Sequence, residues 1–289
     1  GISIMKAKSF GEIVIKPFEE HMRTALYDFE LNERQQIYSS LPKEVLDDAI
    51  EDPDRRPNVV VNEQDDIVGF FVLHKYYQHE GYDTPHNVVY IRSLSINEKY
   101  QGNGYGTTIM MNLPEYVQHV FPDFDHLYLV VDAENEAAWN LYERAGFMHT
   151  ATKEEGPLGK ERLYYLDLDS KYVSSLKLVL NEDDLDNEFV DIHLMKDNQK
   201  VGIIVLEDKD HYFDIRSIEV EEDERKEGIA ESALRQLSTF VRRRFEDKKE
   251  IHITLFGSNN KLKPLCEKAR FVEIQKSEDY IKLMKYIKY

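Results

Sequence analysis

The 289-residue chain has a single cysteine, Cys266. One thiol excludes an internal disulfide framework and any zinc site built on several cysteines. No apolar run approaches the roughly 20 residues a helix needs to cross a bilayer. The opening GISIMKAKSF lacks the basic-then-apolar pattern of a secretory signal. Gly1 in place of Met reads as a cleavage remnant, with Met5 a candidate start. No Gly-Lys-Ser/Thr triplet is present, which excludes a P-loop. Together these absences point to a cytoplasmic protein with no membrane partner.

Basic charge is also scarce. Residues 1–170 carry 15 Lys and Arg against 30 Asp and Glu, a net of −15, so of the total of −18 only −3 falls on residues 171–289. Such a surface repels nucleic acid and anionic membranes and favours cationic small molecules, although it also serves plain solubility. The RRR run at 242–244 ends a helix-like segment, where cations suit the dipole. With 42% hydrophobic and 32% charged residues, the chain reads as globular and long enough for two domains.

What is present, first, is a repeat. YIRSLSINEKYQGNGYG from Tyr90 aligns with DIRSIEVEEDERKEGIA from Asp214, an offset of 124 residues. That offset puts Gly104 on Gly228 and Gly106 on Ala230, and carries Leu141 onto Leu265 and Phe147 onto Phe271 without a gap. The hairpin DDIVGFFVL matches NQKVGIIVL at an offset of 133. Two copies of one fold are expected, 1–170 and 171–289, joined near 169–174. Copy one has a long stretch at 19–57 that reads as two helices broken near 39–42; copy two has only NEDDLDNEF there.

Within copy one, strands are expected at 59–61, 67–75 and 87–96, then a helix after the glycines, kinked at Pro114. LYLVV reads as a buried parallel strand. A helix over 136–145 is expected to bury Ala138, Leu141 and Ala145, before two closing strands, FMHTAT and ERLYYLDL. The fold class is α/β with a mixed sheet, antiparallel first and parallel in the middle.

The QGNGYG loop lies between strand and helix. Glycines there let an anion approach the backbone N–H groups at a helix N-terminus. The spacing is not the dinucleotide fingerprint, and a tight strand-to-helix turn would want glycine as well. Two separated motifs carry more. Gln101, Gly104 and Gly106 follow a strand ending LSI; Asn135, Ala138, Leu141, Tyr142, Gly146 and Phe147 follow about 30 residues later. This pattern resembles the GNAT superfamily of acyl-CoA N-acyltransferases, over roughly 88–147.

The resemblance implies two tandem GNAT-like domains, the second lacking the early helices, and acetyl-CoA as cofactor. Its pyrophosphate would be cradled by N–H groups of Gln101, Gly102, Asn103, Gly104, Tyr105, Gly106 and the adjoining Thr107. The pantetheine arm would lie against the backbone of Leu94, Ser95 and Ile96, with Asn135 on its other side. Acetylating an amine requires loss of the ammonium proton, a donor to the oxyanion and a proton for the leaving thiolate. The resemblance makes Tyr142 the expected thiolate acid, although the helix pattern alone favours a core aromatic. Asp132 and Glu134 are candidate bases, and so are Tyr90 and Arg92 as strand residues expected to line the site.

His74, His79 and His86 have no metal-ligand spacing, so no metal is expected; one of them could instead enter the acceptor pocket as base. The pocket is expected between residues 19–52 and KEEGPLGKE, both rich in acid, which suits a primary amine on a cationic small molecule or lysine. In copy two Cys266 replaces the tyrosine, either as a proton donor or nucleophile or in a degenerate copy that only supports the first. The alternative for the whole is a non-catalytic acyl-CoA-binding or regulatory module. Nucleic acid is not an expected partner; the chain is expected as a monomer or homodimer.

Overall fold

The computed structural model describes residues 7–168, 173 and 175–287. The chain divides into two compact units, Gly1–Asp169 and Ser170–Tyr289. Apart from Val173, the expected junction near 169–174 lies outside the described residues, as does the candidate start at Met5.

The first unit is an eight-stranded sheet. Its strands are β1 (Lys8–Ser9), β2 (Ile13–Pro17), β3 (Arg55–Asn62), β4 (Ile67–Lys75), β5 (Val88–Ile96), β6 (His126–Asp132), β7 (Met148–Gly156) and β8 (Gly159–Asp167). They lie in the order β1-β2-β3-β4-β5-β6-β8-β7, and only the β5–β6 pair is parallel. Alternation along β4 explains why both faces are covered. Phe71 and Leu73 join a core with Ile109, Leu113 and Val117, the apolar face of the helix after the glycines; Phe70 and Val72 join a second core with Leu26 and Leu46 from the early helices. The buried Tyr116 hydroxyl donates to Asn58 Oδ1 at 2.6 Å and pins that helix to the sheet.

The early segment differs from the two helices expected. A 3-10 turn, Glu20–Met22, runs into α1 (Arg23–Tyr27); α2 (Glu33–Tyr38) and α3 (Pro42–Glu51) follow. The extra break is set by Asn32, whose side chain accepts from Gln35 N at 2.8 Å while Gln35 Oε1 accepts from Asn32 N, a capping box that starts a new helix. The expected break at 39–42 is present. After the glycine loop, α4 (Tyr105–Val120) continues through Pro114, and α5 (Glu136–Arg144) precedes the closing hairpin.

The second unit repeats this plan without the early helices. β9 (Lys177–Leu180), β10 (Phe189–Lys196), β11 (Gln199–Asp208), β12 (Tyr212–Val220), β13 (Glu250–Phe256), β14 (Val272–Lys276) and β15 (Tyr280–Tyr286) form one sheet in the order β14-β15-β13-β12-β11-β10-β9. Only β12–β13 is parallel. Its helices are α6 (Ile229–Arg244) and α7 (Lys263–Lys268). β12, α6 and β13 each start and end 124 residues after β5, α4 and β6.

Candidate active site

Two hairpins part company in the first unit. β5 and β6 pair only from Val88–His126 to Tyr90–Tyr128. Beyond that β5 stays with β4 as far as Ile96, and β6 stays with β8 as far as Asp132. A bulge drives the separation. Phe70 pairs with Ser95 and Val72 with Arg92, which leaves Ser93 at φ +58° as an extra residue that bends β5 away. Residues 91–96 therefore turn an unpaired backbone edge toward the gap, a template for an extended chain.

The glycine loop closes one end of that gap. Gly104 is the N-cap of α4 at φ +78°, and Gly102 has φ +82°. Nothing lies within 4 Å of where a Cβ would stand at either position, so the outer face of the loop is open. Among the described residues, the N–H groups of 102–107 meet no protein acceptor. Six free donors at the start of a 16-residue helix make an anion cradle. The cradle begins one residue later than expected. Gln101 N–H closes the preceding 3-10 turn onto Glu98 O (3.3 Å), while its side chain Nε2 donates to Ile96 O (3.1 Å) and Gln35 Oε1 (2.6 Å).

A cavity of about 490 Å³ fills the gap. Leu94, Ser95, Ile96, Gln101, Gly102, Gly104, Tyr105, Gly106, Thr107, Asn135 and Tyr142 all line it. Asn103 does not; its side chain folds back onto Tyr100 O at 2.9 Å. Arg34 and Arg144 line it too, cations that no motif marked. Free amides, two guanidinium groups, an unpaired strand edge and the buried, unpartnered Ser95 Oγ are the donor set that acetyl-CoA requires, so the residues fit that cofactor.

A second cavity of about 300 Å³ shares Tyr38, Ser39, Leu94, Asn135 and Tyr142 with the first and adds Tyr90, Arg92, Asp132 and Glu161. Tyr142 thus stands where the two meet. It is 8% exposed, its ring lies edge-on to Tyr164 at 5.9 Å, and burial pushes its phenol up to about 12. α5 buries only part of the face expected of it: Ala145 is in the core. Ala138 and Leu141 are half-exposed and line the first cavity, while Tyr142 and Glu143 are buried, the latter accepting from the Tyr164 hydroxyl at 3.1 Å. Asn135, Ala138 and Leu141 of the motif thus line the first cavity, while Tyr142 and Phe147 belong to the core.

The acidic candidates separate. Glu134 is exposed and lines neither cavity; its N–H donates to Asp132 Oδ1 at 2.8 Å. Asp132 sits directly opposite Glu161 in the β6–β8 ladder. Asp132 Oδ2 and Glu161 Oε1 are both buried with no hydrogen-bond partner. Sequence reasoning missed Glu161 as an individual, although it ends the KEEGPLGKE segment. From the early segment the second cavity receives Tyr38, Ser39 and Ser40, so of the two acid-rich stretches expected to line it only KEEGPLGKE contributes acid, through Glu161, and β6 adds Asp132.

The three histidines do not converge. His74 stacks on Tyr77 (4.8 Å) and His86 on Tyr76 (5.0 Å), whereas His79 Nε2 lies 3.5 Å from Glu161 Oε1.

The second unit keeps the frame and carries other side chains at these positions. Arg225 Nε donates to Val220 O at 3.0 Å, matching the Gln101–Ile96 bond, and Gly228 caps its helix at φ +88°. Lys226, however, stands in the left-handed place of Gly102, at φ +69°. Phe256 and Tyr280 are paired at the position of Asp132 and Glu161. Cys266 is fully buried and its thiol is pushed up to about 12, which keeps it protonated and argues against a nucleophile. The side chain of Asn259, aligned with Asn135, lies outside the described residues.

A family model described as the acetyltransferase (GNAT) family matches residues 23–147. The uncharacterized N-acetyltransferase YbbJ of Bacillus subtilis is 35% identical over 148 residues, covering 50% of this chain and 91% of that protein. A spermine/spermidine N(1)-acetyltransferase of the same organism is 28% identical over 135 residues, 47% of this chain and 87% of that protein. Among solved structures, spermidine N-acetyltransferase from Vibrio cholerae in complex with CoA and spermine is 20% identical, covering 54% of this chain and 96% of that one, with a TM-score of 0.44.

Proposed function

The chain belongs to the acetyltransferase (GNAT) family, and on that premise we propose that its first unit acetylates a primary amine on a cationic small molecule, a polyamine first among candidates. One observation carries this reading. The buried phenol of Tyr142 stands between a cavity with a cradle of free amides and a cavity lined by the Asp132 and Glu161 carboxylates, each with a buried oxygen that accepts no hydrogen bond. The name of the spermine/spermidine relative supports the same class of acceptor.

Bound acetyl-CoA supplies an activated thioester. The chain supplies the rest. Amides 102–107 with Arg34 and Arg144 would hold its phosphates, and the edge of β5 would orient its arm. N–H groups turned off the sheet by the Ser93 bulge donate to the carbonyl oxygen as it gains charge. The Tyr142 phenol, whose pKa lies above the roughly 8.5 of an ordinary thiol, stays protonated and donates to the departing sulfur. We read the second unit as non-catalytic, because its counterparts of Asp132, Glu161 and Tyr142 are Phe256, Tyr280 and Cys266.

Titration with coenzyme A, paired with thiol release from acetyl-CoA in the presence of spermidine, spermine, putrescine, glucosamine and a lysine peptide, tests the reading. Turnover with the cationic amines is expected. Turnover confined to neutral or anionic amines, or coenzyme A binding with no turnover, would contradict it; the latter would favour a regulatory module.

A further inference from the structure

The connection from β4 to β5 differs sharply between the two units. It spans 76–87 in the first and 209–211 in the second, and those nine extra residues are what change the repeat offset from 133 to 124. The insert is firmly held. The Tyr128 hydroxyl on β6 accepts from His79 N–H (3.2 Å) and donates to Tyr77 O (2.7 Å). The Tyr82 hydroxyl donates to Glu161 O at 3.3 Å. The Tyr77 ring stacks on Tyr90 at 4.8 Å, and Arg92 lies 4.5 Å over it.

So anchored, the insert brings His79 Nε2 to 3.5 Å from Glu161 Oε1. The Tyr77 hydroxyl lies 3.3 Å from His79 Nδ1. A phenol donating there leaves the ring with its hydrogen on Nε2, aimed at the carboxylate. Separations of this kind in a ligand-free site shorten once substrate is bound. Glu161 itself is buried and lines the second cavity together with Tyr142. Where the insert is missing, in the second unit, the carboxylate is missing too, replaced by Tyr280.

We propose that Glu161 is the base that takes the proton from the acceptor's ammonium group, and that the 76–87 insert exists to hold His79 as the residue that positions it. This rests on the amine-acetylation reading. One N–H bond of the ammonium breaks, its electron pair stays on nitrogen as the nucleophile, and the proton goes to a Glu161 carboxylate oxygen, then to water after product leaves. His79 reaches neither acceptor nor thioester; it acts through Glu161. The groups that face Glu161 are Asp132 across β6, Lys153 across β7, Tyr90 and Arg92 from β5, and His79 and Tyr82 from the insert.

The test is the pH dependence of kcat for Glu161→Gln, His79→Gln and Asp132→Asn, using whichever amine of the panel above turns over fastest. At pH 7 Glu161→Gln is expected to lose a hundredfold or more. That deficit should shrink by about tenfold per pH unit toward the amine's own pKa of about 10, where free base no longer needs a proton acceptor. An acceptor of lower pKa, such as 2,2,2-trifluoroethylamine, should restore turnover at pH 7. His79→Gln is expected to lose about tenfold in kcat with little change in KM, and this variant carries the test if Glu161→Gln fails to give a folded melt. A hundredfold deficit at pH 7 in Asp132→Asn that shrinks in the same way as pH rises, with Glu161→Gln within threefold of the unaltered protein, would assign the base to Asp132 and overturn the proposal. Equal rates for Glu161→Gln and the unaltered protein across the whole range would overturn it as well. No turnover of any amine by the unaltered protein would instead bring down the parent reading, and this inference with it.

Discussion

Asp132 and Glu161 oppose one another across the β6–β8 ladder, each with a buried oxygen that accepts no hydrogen bond. Like charges directly opposite destabilise a sheet, and unpartnered buried acceptors add to the cost. The fold does not need the pair, since the second unit places Phe256 opposite Tyr280 at that point. A cationic ligand that sits between the carboxylates would remove both costs.

Asp132→Asn should therefore leave the protein as stable or more stable, while raising KM for a cationic amine by about tenfold, the worth of one charge-assisted hydrogen bond. Thermal melts and steady-state kinetics measure the two effects. A destabilised variant with unchanged KM would make Asp132 a structural residue.

Gly104 holds φ +78° with open space where a Cβ would go. Gly104→Ala should cost about 1 kcal/mol in stability from the left-handed backbone alone. It should also weaken acetyl-CoA binding, because the new methyl group stands on the open face of the amide cradle. Calorimetric titration with coenzyme A checks this; unchanged affinity would remove the cradle from the account.

Burial pushes His74 down to about 4, reinforced by Arg92 and Arg55 and opposed by Asp52 and Asp54. The folded value lies below the unfolded one of about 6.5, so the unfolded chain binds the extra proton. The stability this represents, at most ~3 kcal/mol, is complete above about pH 6.5 and drains away as pH falls toward 4. His74→Phe keeps a ring against Tyr77 and removes the titration. Its melting temperature should fall less steeply than that of the unaltered protein between pH 6.5 and 4; parallel curves would contradict the assignment.

Much of this architecture was legible because two signals do not depend on packing detail. The offset of 124 reports a repeated fold directly, and β5, α4 and β6 recur at that interval in β12, α6 and β13. The glycine loop announces itself because only glycine adopts positive φ freely at 102 and 104. What escaped depends on cross-strand register. Glu161 gains its meaning from lying opposite Asp132, and the register of β6 against β8, strands not adjacent in sequence, is not fixed by hydropathy. The inward face of α5 was misjudged for a related reason: apolar spacing cannot tell a side chain that lines a cavity from one that fills a core, so Ala138 and Leu141 read as buried. The break at Asn32 was hidden because a capping box in a polar stretch looks like ordinary helix surface.

The central claim, that the Tyr142 phenol serves the departing sulfur and not the core, is tested most directly in Tyr142→Phe by measuring kcat and coenzyme A affinity on the same preparation. The account predicts a fall in kcat of about a hundredfold, with affinity and melting temperature nearly unchanged, because the ring packing survives and only the hydroxyl is lost. Full turnover in that variant, or affinity lost in step with turnover, would contradict it.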